Sequence, residues 1–341
     1  MKIVKLPKKN LSNFVDSLKS FGEIHAPSKR GENSFAFTPV NGLSDIELEY
    51  TRAILPQKKY FIEPVETLFN FDAEKGYEDQ VKQKKRCVLF GVHPCDIHAL
   101  NILDLVFKGR YEDGYYLAGR SAASIVGLDC IPDDLCFCRS TGTDFVDTGF
   151  DLFLSDIDDS YLVRVGTSLG DDMVRAVEPL FLEVEKEDRE KYKSKSRQKR
   201  KSFKTEVQLQ DFPEIMDLEY ESGIWQELGE ECLGCGICSM VCPTCYCYAV
   251  FDELNLDANS GRRKRRWDSC LFKDYALVAG GLNFRAQRSS RVKNRYFHKH
   301  RGFVSQYGRP ACVGCGRCSA YCPAGIDIVE VITRLRSETY V

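Results

Sequence analysis

The fold is decided by Cys232-Leu-Gly-Cys235-Gly-Ile-Cys238-Ser-Met-Val-Cys242-Pro243 and its repeat Cys312-Val-Gly-Cys315-Gly-Arg-Cys318-Ser-Ala-Tyr-Cys322-Pro323, which we call the first and second ladder. In such C-x2-C-x2-C-x3-C-P runs, three close thiolates bind one [4Fe–4S] cluster and the fourth cysteine binds the neighbouring cluster. The spacing therefore predicts a first cluster on Cys232, Cys235, Cys238 and Cys322, and a second on Cys312, Cys315, Cys318 and Cys242. Two clusters held close together suit the transfer of single electrons.

Zinc and disulfides are the alternatives to iron–sulfur clusters at the ladders. Zinc sites usually take their ligands from two separated C-x2-C or C…H pairs. Each ladder instead offers four cysteines and a trailing proline, with no histidine at ligand spacing. Disulfide frameworks are typical of small secreted chains. The ladders therefore favour clusters.

Length and composition set broad limits on the function. A chain of 341 residues predicts two domains, and a net charge of −2 says little about partners. The first residues show no export pattern, and no apolar run approaches the roughly 20 residues of a membrane span. Sixteen cysteines favour a reducing compartment. We expect a cytoplasmic protein of anaerobic metabolism, without a membrane span.

The pattern along the chain predicts an α/β domain over residues 1–185, a charged linker or helix extension over 186–210, and a mainly helical dicluster ferredoxin-like domain over 211–341. The expected strands are Arg86–Val92, Ala122–Leu128 and Tyr161–Val165, and the expected helices are 10–20, Asp96–Phe107 and Asp171–Glu185. A long basic spacer, Pro243–Ala311, separates the ladders and fits a helical arrangement with an insertion. No base-reading motif accompanies the charged segments, so we expect no nucleic-acid partner.

Four further cysteines suggest a third [4Fe–4S] cluster in the N-terminal domain. Cys95 would begin a helix behind Pro94, where the helix dipole stabilises a thiolate. Cys130, Cys136 and Cys138 follow a predicted strand and could complete a four-thiolate site. A zinc site or ordinary buried thiols are the alternatives. His93 lies beside this site, but a histidine next to a proline in a turn is more often structural than a ligand.

The remaining cysteines have less defined roles. Cys245, Cys247 and Cys270 could pack around the first cluster, form a redox-active thiol pair or supply ligands. Cys87 is expected to be a core thiol.

Two features predict how the clusters are tuned. Arg317 stands where the first ladder has Ile237, and a guanidinium favours a reduced, more negative cluster. The cluster of the second ladder is then expected to have the higher reduction potential, unless Arg317 points to solvent. The basic stretch from Arg262 to Arg301 could compensate reduced clusters, dock an acidic partner or be solvated.

Several motifs together resemble one protein family. The chain resembles the iron–sulfur beta subunits of cytoplasmic sulfhydrogenases and the corresponding iron–sulfur subunits of anaerobic sulfite reductases. It is also similar to the iron–sulfur subunits of flavin oxidoreductase complexes that serve heterodisulfide-reductase-like proteins. His93 stands where these relatives tend to have Arg. The motifs, besides the ladders, are Phe90-Gly-Val-His-Pro-Cys-Asp-Ile-His-Ala-Leu100, Cys136-Phe-Cys-Arg-Ser-Thr-Gly-Thr-Asp144, Cys242-Pro-Thr-Cys-Tyr-Cys-Tyr248 and Arg266-Trp-Asp-Ser-Cys270.

The resemblance implies an electron-transfer subunit in a hetero-oligomer. In such complexes a flavoprotein subunit exchanges hydride with NAD(P)H, and the beta-type subunit relays single electrons to a catalytic partner of hydrogenase, sulfite reductase or heterodisulfide reductase type. The sequence itself has no convincing G-x-G-x-x-G after a strand and no P-loop. We therefore assign no catalytic residue to the chain. The alternative is an enzyme that reduces sulfur compounds or disulfides through its own extra cysteines.

Overall fold

The computed structural model describes residues 2–79, 84–256 and 259–339. The described strands are β1 Ile3–Pro7, β2 Glu23–Gly31, β3 Ser34–Pro39, β4 Val65–Asp72, β5 Gly76–Asp79, β6 Cys87–Val92, β7 Ala123–Leu128, β8 Leu152–Asp156, β9 Ser160–Val165, β10 Tyr248–Leu254 and β11 Ser260–Trp267. The described helices are α1 Leu11–Ser17, α2 Pro94–Phe107, α3 Gly114–Ala122, α4 Ser168–Arg175, α5 Lys186–Ser202, α6 Phe212–Leu218, α7 Ile224–Glu231, α8 Ile237–Met240, α9 Arg288–Phe297, α10 Phe303–Tyr307, α11 Arg317–Ala320 and α12 Ile328–Thr339.

The N-terminal region is built around a mixed sheet in the order β1-β9-β8-β7-β6-β2-β3. Strands β2, β6, β7 and β8 run parallel to one another, and antiparallel strands flank them. Strands β6 and β7 are rich in apolar side chains that are mostly buried, as parallel strands covered on both faces require. Helices α1 and α4 pack on one face of the sheet, and α2 and α3 on the other. The region is sheet-rich, in agreement with the α/β expectation.

A second, antiparallel sheet joins the two regions of the chain. Its order is β10-β11-β4-β5, so a hairpin from the spacer between the ladders pairs with a hairpin of the N-terminal region. The bases of β11 pair with acids on the neighbouring strands, which neutralises an otherwise one-sided charge: Arg263 with Asp252, Lys264 with Glu253, and Arg265 with Glu66. The C-terminal region is otherwise helical.

The segment between the two regions is a helix rather than a flexible linker. A capping box formed by Glu185 and Asp188 begins α5. The expected helix Asp171–Glu185 is wrong, because α4 ends at Arg175 and Pro179 follows in a separate short turn. Proline lacks the N–H that a continuing helix needs. Within the ranges that the structure describes, no helix is long and apolar enough to span a membrane.

Candidate iron–sulfur sites

The first ladder surrounds an apolar cavity that two cysteines of the second ladder also line. The cavity is walled by Leu271, Val292 and Tyr296, and five cysteines line it: Cys232, Cys235, Cys238, Cys318 and Cys322. Of these, Cys235 is exposed and the others are buried or half-buried. The four thiols expected to bind the first cluster therefore lie around one cavity.

The second ladder lies close to Cys242, its expected fourth ligand. Burial, together with the nearby thiols of Cys318 and Cys242, raises the pKa of Cys312 to about 12. Burial is also the main cause that raises the pKa of the half-buried Cys315, and the Cys242 thiol adds to it. The Lys299 ammonium lies 3.3 Å from the Cys242 Sγ and donates to the Thr244 hydroxyl at 2.9 Å. The fold thus brings the fourth cysteine of each ladder toward the other ladder.

The four N-terminal cysteines converge at the carboxyl ends of β6 and β7. Cys95 lies in the first turn of α2 directly after β6, and the other three lie in the segment that follows β7. The Cys138 thiol hydrogen-bonds to Cys136 and Cys95. Burial is the main cause that raises the pKa of the half-buried Cys130, and the thiols of Cys95 and Cys136 add to it. The carboxyl ends of adjacent parallel strands meet at one edge of the sheet, where such a fold places its ligands.

This N-terminal site packs directly on the second ladder. The Phe137 N–H donates to the Gly314 carbonyl at 2.8 Å, and the Thr143 hydroxyl donates to the Val313 carbonyl at 2.7 Å. Gly314 has φ +60°, and a Cβ there would lie 2.5 Å from the Phe137 carbonyl carbon, so this contact requires glycine. Cys315 is close enough to Cys95 for the two thiols to interact electrostatically.

Buried cations accompany the thiols. The Arg52 guanidinium lies 3.6 Å from the Cys136 Sγ while it also pairs with Asp133. Lys199 reaches in from α5, and the nearby Cys130 thiol raises the pKa of its ammonium against the opposing effect of burial. Arg295 faces thiols of both ladders. Because a reduced cluster with four thiolates is anionic, buried positive charge of this kind stabilises it.

Unpartnered polar groups provide a test of whether clusters fit here. The buried side-chain nitrogens without a hydrogen-bond partner in the described protein include Arg52 Nε, His93 Nε2 and Arg295 Nε. Leaving such a group unpaired costs about 1–3 kcal/mol. Cluster sulfurs accept N–H hydrogen bonds, which would satisfy these donors. The residues fit clusters.

Comparison with known proteins gives two matches. Residues 231–326, which contain both ladders, match the 4Fe-4S dicluster domain. The chain is also 41% identical over 336 residues to sulfhydrogenase 2 subunit beta of Pyrococcus furiosus, covering 98% of this chain and 99% of that protein. The chain belongs to the sulfhydrogenase beta-subunit family. This confirms the resemblance inferred from the motifs and the expectation of an iron–sulfur oxidoreductase subunit. No solved structure matches the chain.

In this member of the sulfhydrogenase beta-subunit family, Arg317 lies close to the Cys315 thiol of the second ladder and is also paired with a carboxylate. It does not point to solvent: its side chain is 1% exposed and forms two hydrogen bonds with Asp96, of 2.7 and 2.8 Å. Its Nε also donates to the Ala53 carbonyl at 2.9 Å. Asp96 therefore offsets much of the positive charge that Arg317 would otherwise present to the second ladder. Any effect of Arg317 on a cluster potential depends on this carboxylate.

The extra cysteines of this family member take part in two close thiol pairs, one of which includes the ladder residue Cys242. The thiol of Cys245 hydrogen-bonds to Cys242, and that of Cys270 hydrogen-bonds to Cys247. Cys87, at the start of β6, is half-buried, and burial raises its pKa to about 11. No sequence signal indicates the Cys247–Cys270 pair, because a hairpin of the spacer brings the two residues together.

Sequence reasoning also missed several residues of the sites. Arg52 precedes any recognisable motif, and Lys199 lies in a charged stretch that is typical of a solvated helix. Asp96 belongs to the Phe90–Leu100 motif, but its partner is 221 residues away. The charge pattern could have indicated Arg295 and Lys299, because both belong to the basic stretch for which charge compensation of reduced clusters was one of three expected roles.

Proposed function

We propose that this chain relays single electrons through three [4Fe–4S] clusters between a flavoprotein subunit that reacts with NAD(P)H and a catalytic oxidoreductase subunit. The proposed ligands are Cys232, Cys235, Cys238 and Cys322 for the first cluster, Cys312, Cys315, Cys318 and Cys242 for the second, and Cys95, Cys130, Cys136 and Cys138 for the third. When bound, these clusters supply one-electron redox chemistry. The chain's own residues bind them, exclude water and set their potentials.

The contiguity of the three thiol sites is the observation that carries this proposal. Cys95 of the N-terminal site is near Cys315 of the second ladder. Cys318 of the second ladder lines the cavity of the first. Because electron tunnelling weakens steeply with distance, clusters in adjacent sites exchange electrons readily. The order of transfer is therefore N-terminal site, second site and first site, in either direction.

Both ends of this series reach the protein surface beside apolar side chains. Cys235 is exposed, and the neighbouring Leu233 side chain is 61% exposed. At the other end, Ile131 follows Cys130 and is 79% exposed. Exposed apolar groups next to a redox centre suit docking of a partner subunit. A hetero-oligomer with one partner at each end follows, and we place it in the cytoplasm, where NAD(P)H is available.

Iron analysis tests the third cluster. Three cubanes require ~12 Fe per chain, against ~8 for two. Cys95→Ala should remove ~4 Fe, whereas Cys87→Ala, in the same region but remote from the site, should remove none. A wild-type count of ~8 Fe would contradict the third cluster, and one zinc per chain would assign the site to zinc.

Anaerobic isolation at low salt tests the relay. Mass spectrometry of the co-purifying proteins should identify a flavoprotein and a catalytic partner. NAD(P)H should then reduce the clusters of the complex but not those of the isolated chain. A lone chain that reduces a sulfur compound from an artificial electron donor would instead support the alternative, catalysis by its own cysteines.

A further inference from the structure

Cys247 and Cys270 form a thiol pair whose geometry resembles that of a redox-active dithiol. The Cys270 thiol hydrogen-bonds to the Cys247 sulfur, and the Cys270 backbone N–H and the Tyr275 hydroxyl donate to the same sulfur. The backbone supports this contact, because the Asp268 N–H donates to the Cys247 carbonyl at 2.9 Å and so extends the β10–β11 pairing. The two sulfurs are therefore held together by the end of a hairpin.

The pair also has the asymmetry that thiol–disulfide chemistry uses. The hydrogen bond from Cys270 is the largest influence on Cys247 and, with Tyr275, lowers the pKa of this thiol to about 6 against the opposing effect of burial. The pKa of Cys270 is raised, first by that same hydrogen bond and then by burial. One sulfur is thus a thiolate at neutral pH and its partner a thiol, which is the arrangement of reactive cysteine pairs. An inert core thiol needs no such set of donors.

The pair lies against the first site. Cys247 and Cys270 pack in the same buried cluster as Cys232 and Cys238. Cys238 is also close enough to raise the pKa of Cys270. An electron could pass between this pair and a cluster in the first cavity over a short distance, without a mobile carrier.

We propose that Cys247 and Cys270 form a dithiol–disulfide centre that exchanges an electron pair with the cluster chain. On oxidation an S–S bond forms between the Cys247 thiolate and the Cys270 sulfur, the single thiol proton of Cys270 is released to solvent, and two electrons leave. Two oxidised clusters accept one electron each, and reduction reverses these steps. The inference rests on the proposed function for its electron acceptors. The centre links the one-electron chemistry of clusters to the two-electron chemistry of flavins and sulfur substrates.

The test uses the full chain with its clusters, purified anaerobically and poised at a series of potentials with redox dyes. Each sample is quenched in acid, which suppresses thiolate exchange, then unfolded, alkylated and digested for peptide mass spectrometry. We expect a Cys247–Cys270 cross-linked peptide in oxidised samples and two alkylated cysteines in reduced ones. The ratio of disulfide to dithiol should change tenfold per ~30 mV, as a two-electron couple requires. Cys87 is the internal control and should be alkylated throughout.

The Cys270→Ser variant separates a redox centre from a ligand. We expect it to keep its full iron content and its cluster spectra while losing the cross-link. Two results would overturn the inference: both cysteines alkylated at every potential at which the clusters titrate, or loss of ~4 Fe in Cys270→Ser, which would make Cys270 a cluster ligand. Iron and cluster spectra recorded on the same samples report on the proposed function separately. If iron and cluster spectra were absent, the proposed cluster-binding function would be contradicted. The redox dyes would still set the potential of the thiols, so the disulfide could be tested independently.

Discussion

Replacing Arg317 with methionine is expected to destabilise the protein by about 3–5 kcal/mol, the usual result of removing one partner of a buried ion pair. Both side chains of the Arg317–Asp96 pair are 1% exposed, and two hydrogen bonds join them. The substitution leaves the Asp96 carboxylate buried without its cation and the Ala53 carbonyl without its donor. The pair connects the second ladder to α2, so its loss also loosens the contact between two proposed cluster sites.

The surface pair Arg263–Asp252 is a matched control. It has the same two-pronged geometry, with both hydrogen bonds at 2.7 Å, but its side chains are 45% and 40% exposed. Exposed pairs contribute about 0–1 kcal/mol. Arg263→Met should therefore lower the free energy of unfolding by less than about 1 kcal/mol. The two variants remove the same chemical group from different environments.

Thermal unfolding under anaerobic conditions, at one scan rate for all variants, measures the difference. At roughly 2 °C per kcal/mol for a chain of this size, Arg317→Met should lower Tm by about 6–10 °C and Arg263→Met by less than about 2 °C. The double variant Arg317→Met, Asp96→Leu should recover part of the loss, since it leaves no unpaired charge. Equal shifts in the two single variants would refute the reasoning.

Three further predictions concern the sites themselves. Arg295→Gln removes a buried cation beside both ladders and should lower at least one cluster midpoint potential in a spectroscopic redox titration, with iron content unchanged; an unchanged set of potentials would argue against charge compensation. Leu233→Asp should weaken the association with one partner subunit about tenfold or more, because it puts a charge into an apolar contact. The control Leu256→Asp should not weaken it, since Leu256 is fully exposed in the β10–β11 hairpin. Equal binding by both variants would exclude this docking surface. In dithionite-reduced protein, the alkylation rate of Cys247 should stop rising with pH above about pH 6, because its lowered pKa keeps the thiol ionised there. The rate at Cys87, whose pKa is raised to about 11, should keep rising to much higher pH. The same pH dependence for both cysteines would contradict the environment assigned to Cys247.

The sequence predicted the local and periodic features of this molecule well. Strands β6, β7 and β9 and helices α1 and α2 lie within a few residues of their predicted bounds, because their apolar patterns are strong. The ladder spacing also predicted that Cys322 lies beside the cysteines of the first ladder, and it lines the same cavity. The binding of clusters by these cysteines stays a prediction.

Features that depend on contacts between distant segments were not predicted. The hairpin β10–β11 was not predicted because its strands are rich in charge. The pairing of its bases with acids of neighbouring segments, such as Arg265 with Glu66 and Asp113, explains why a basic strand is stable there. The Arg317–Asp96 pair has the same character, since neither residue indicates its partner. The C-terminal bound of α4 was misjudged because the effect of Pro179 was underestimated.

Rapid-freeze electron paramagnetic resonance on the anaerobically isolated complex tests the relay most directly. After NAD(P)H is added, we expect reduced-cluster signals from this chain that appear before the catalytic partner turns over and disappear when its oxidised substrate is supplied. The Cys95→Ala variant should retain two clusters and slow this transfer. If the clusters of this chain stay oxidised while the complex turns over, electrons do not pass through it, and the relay is wrong.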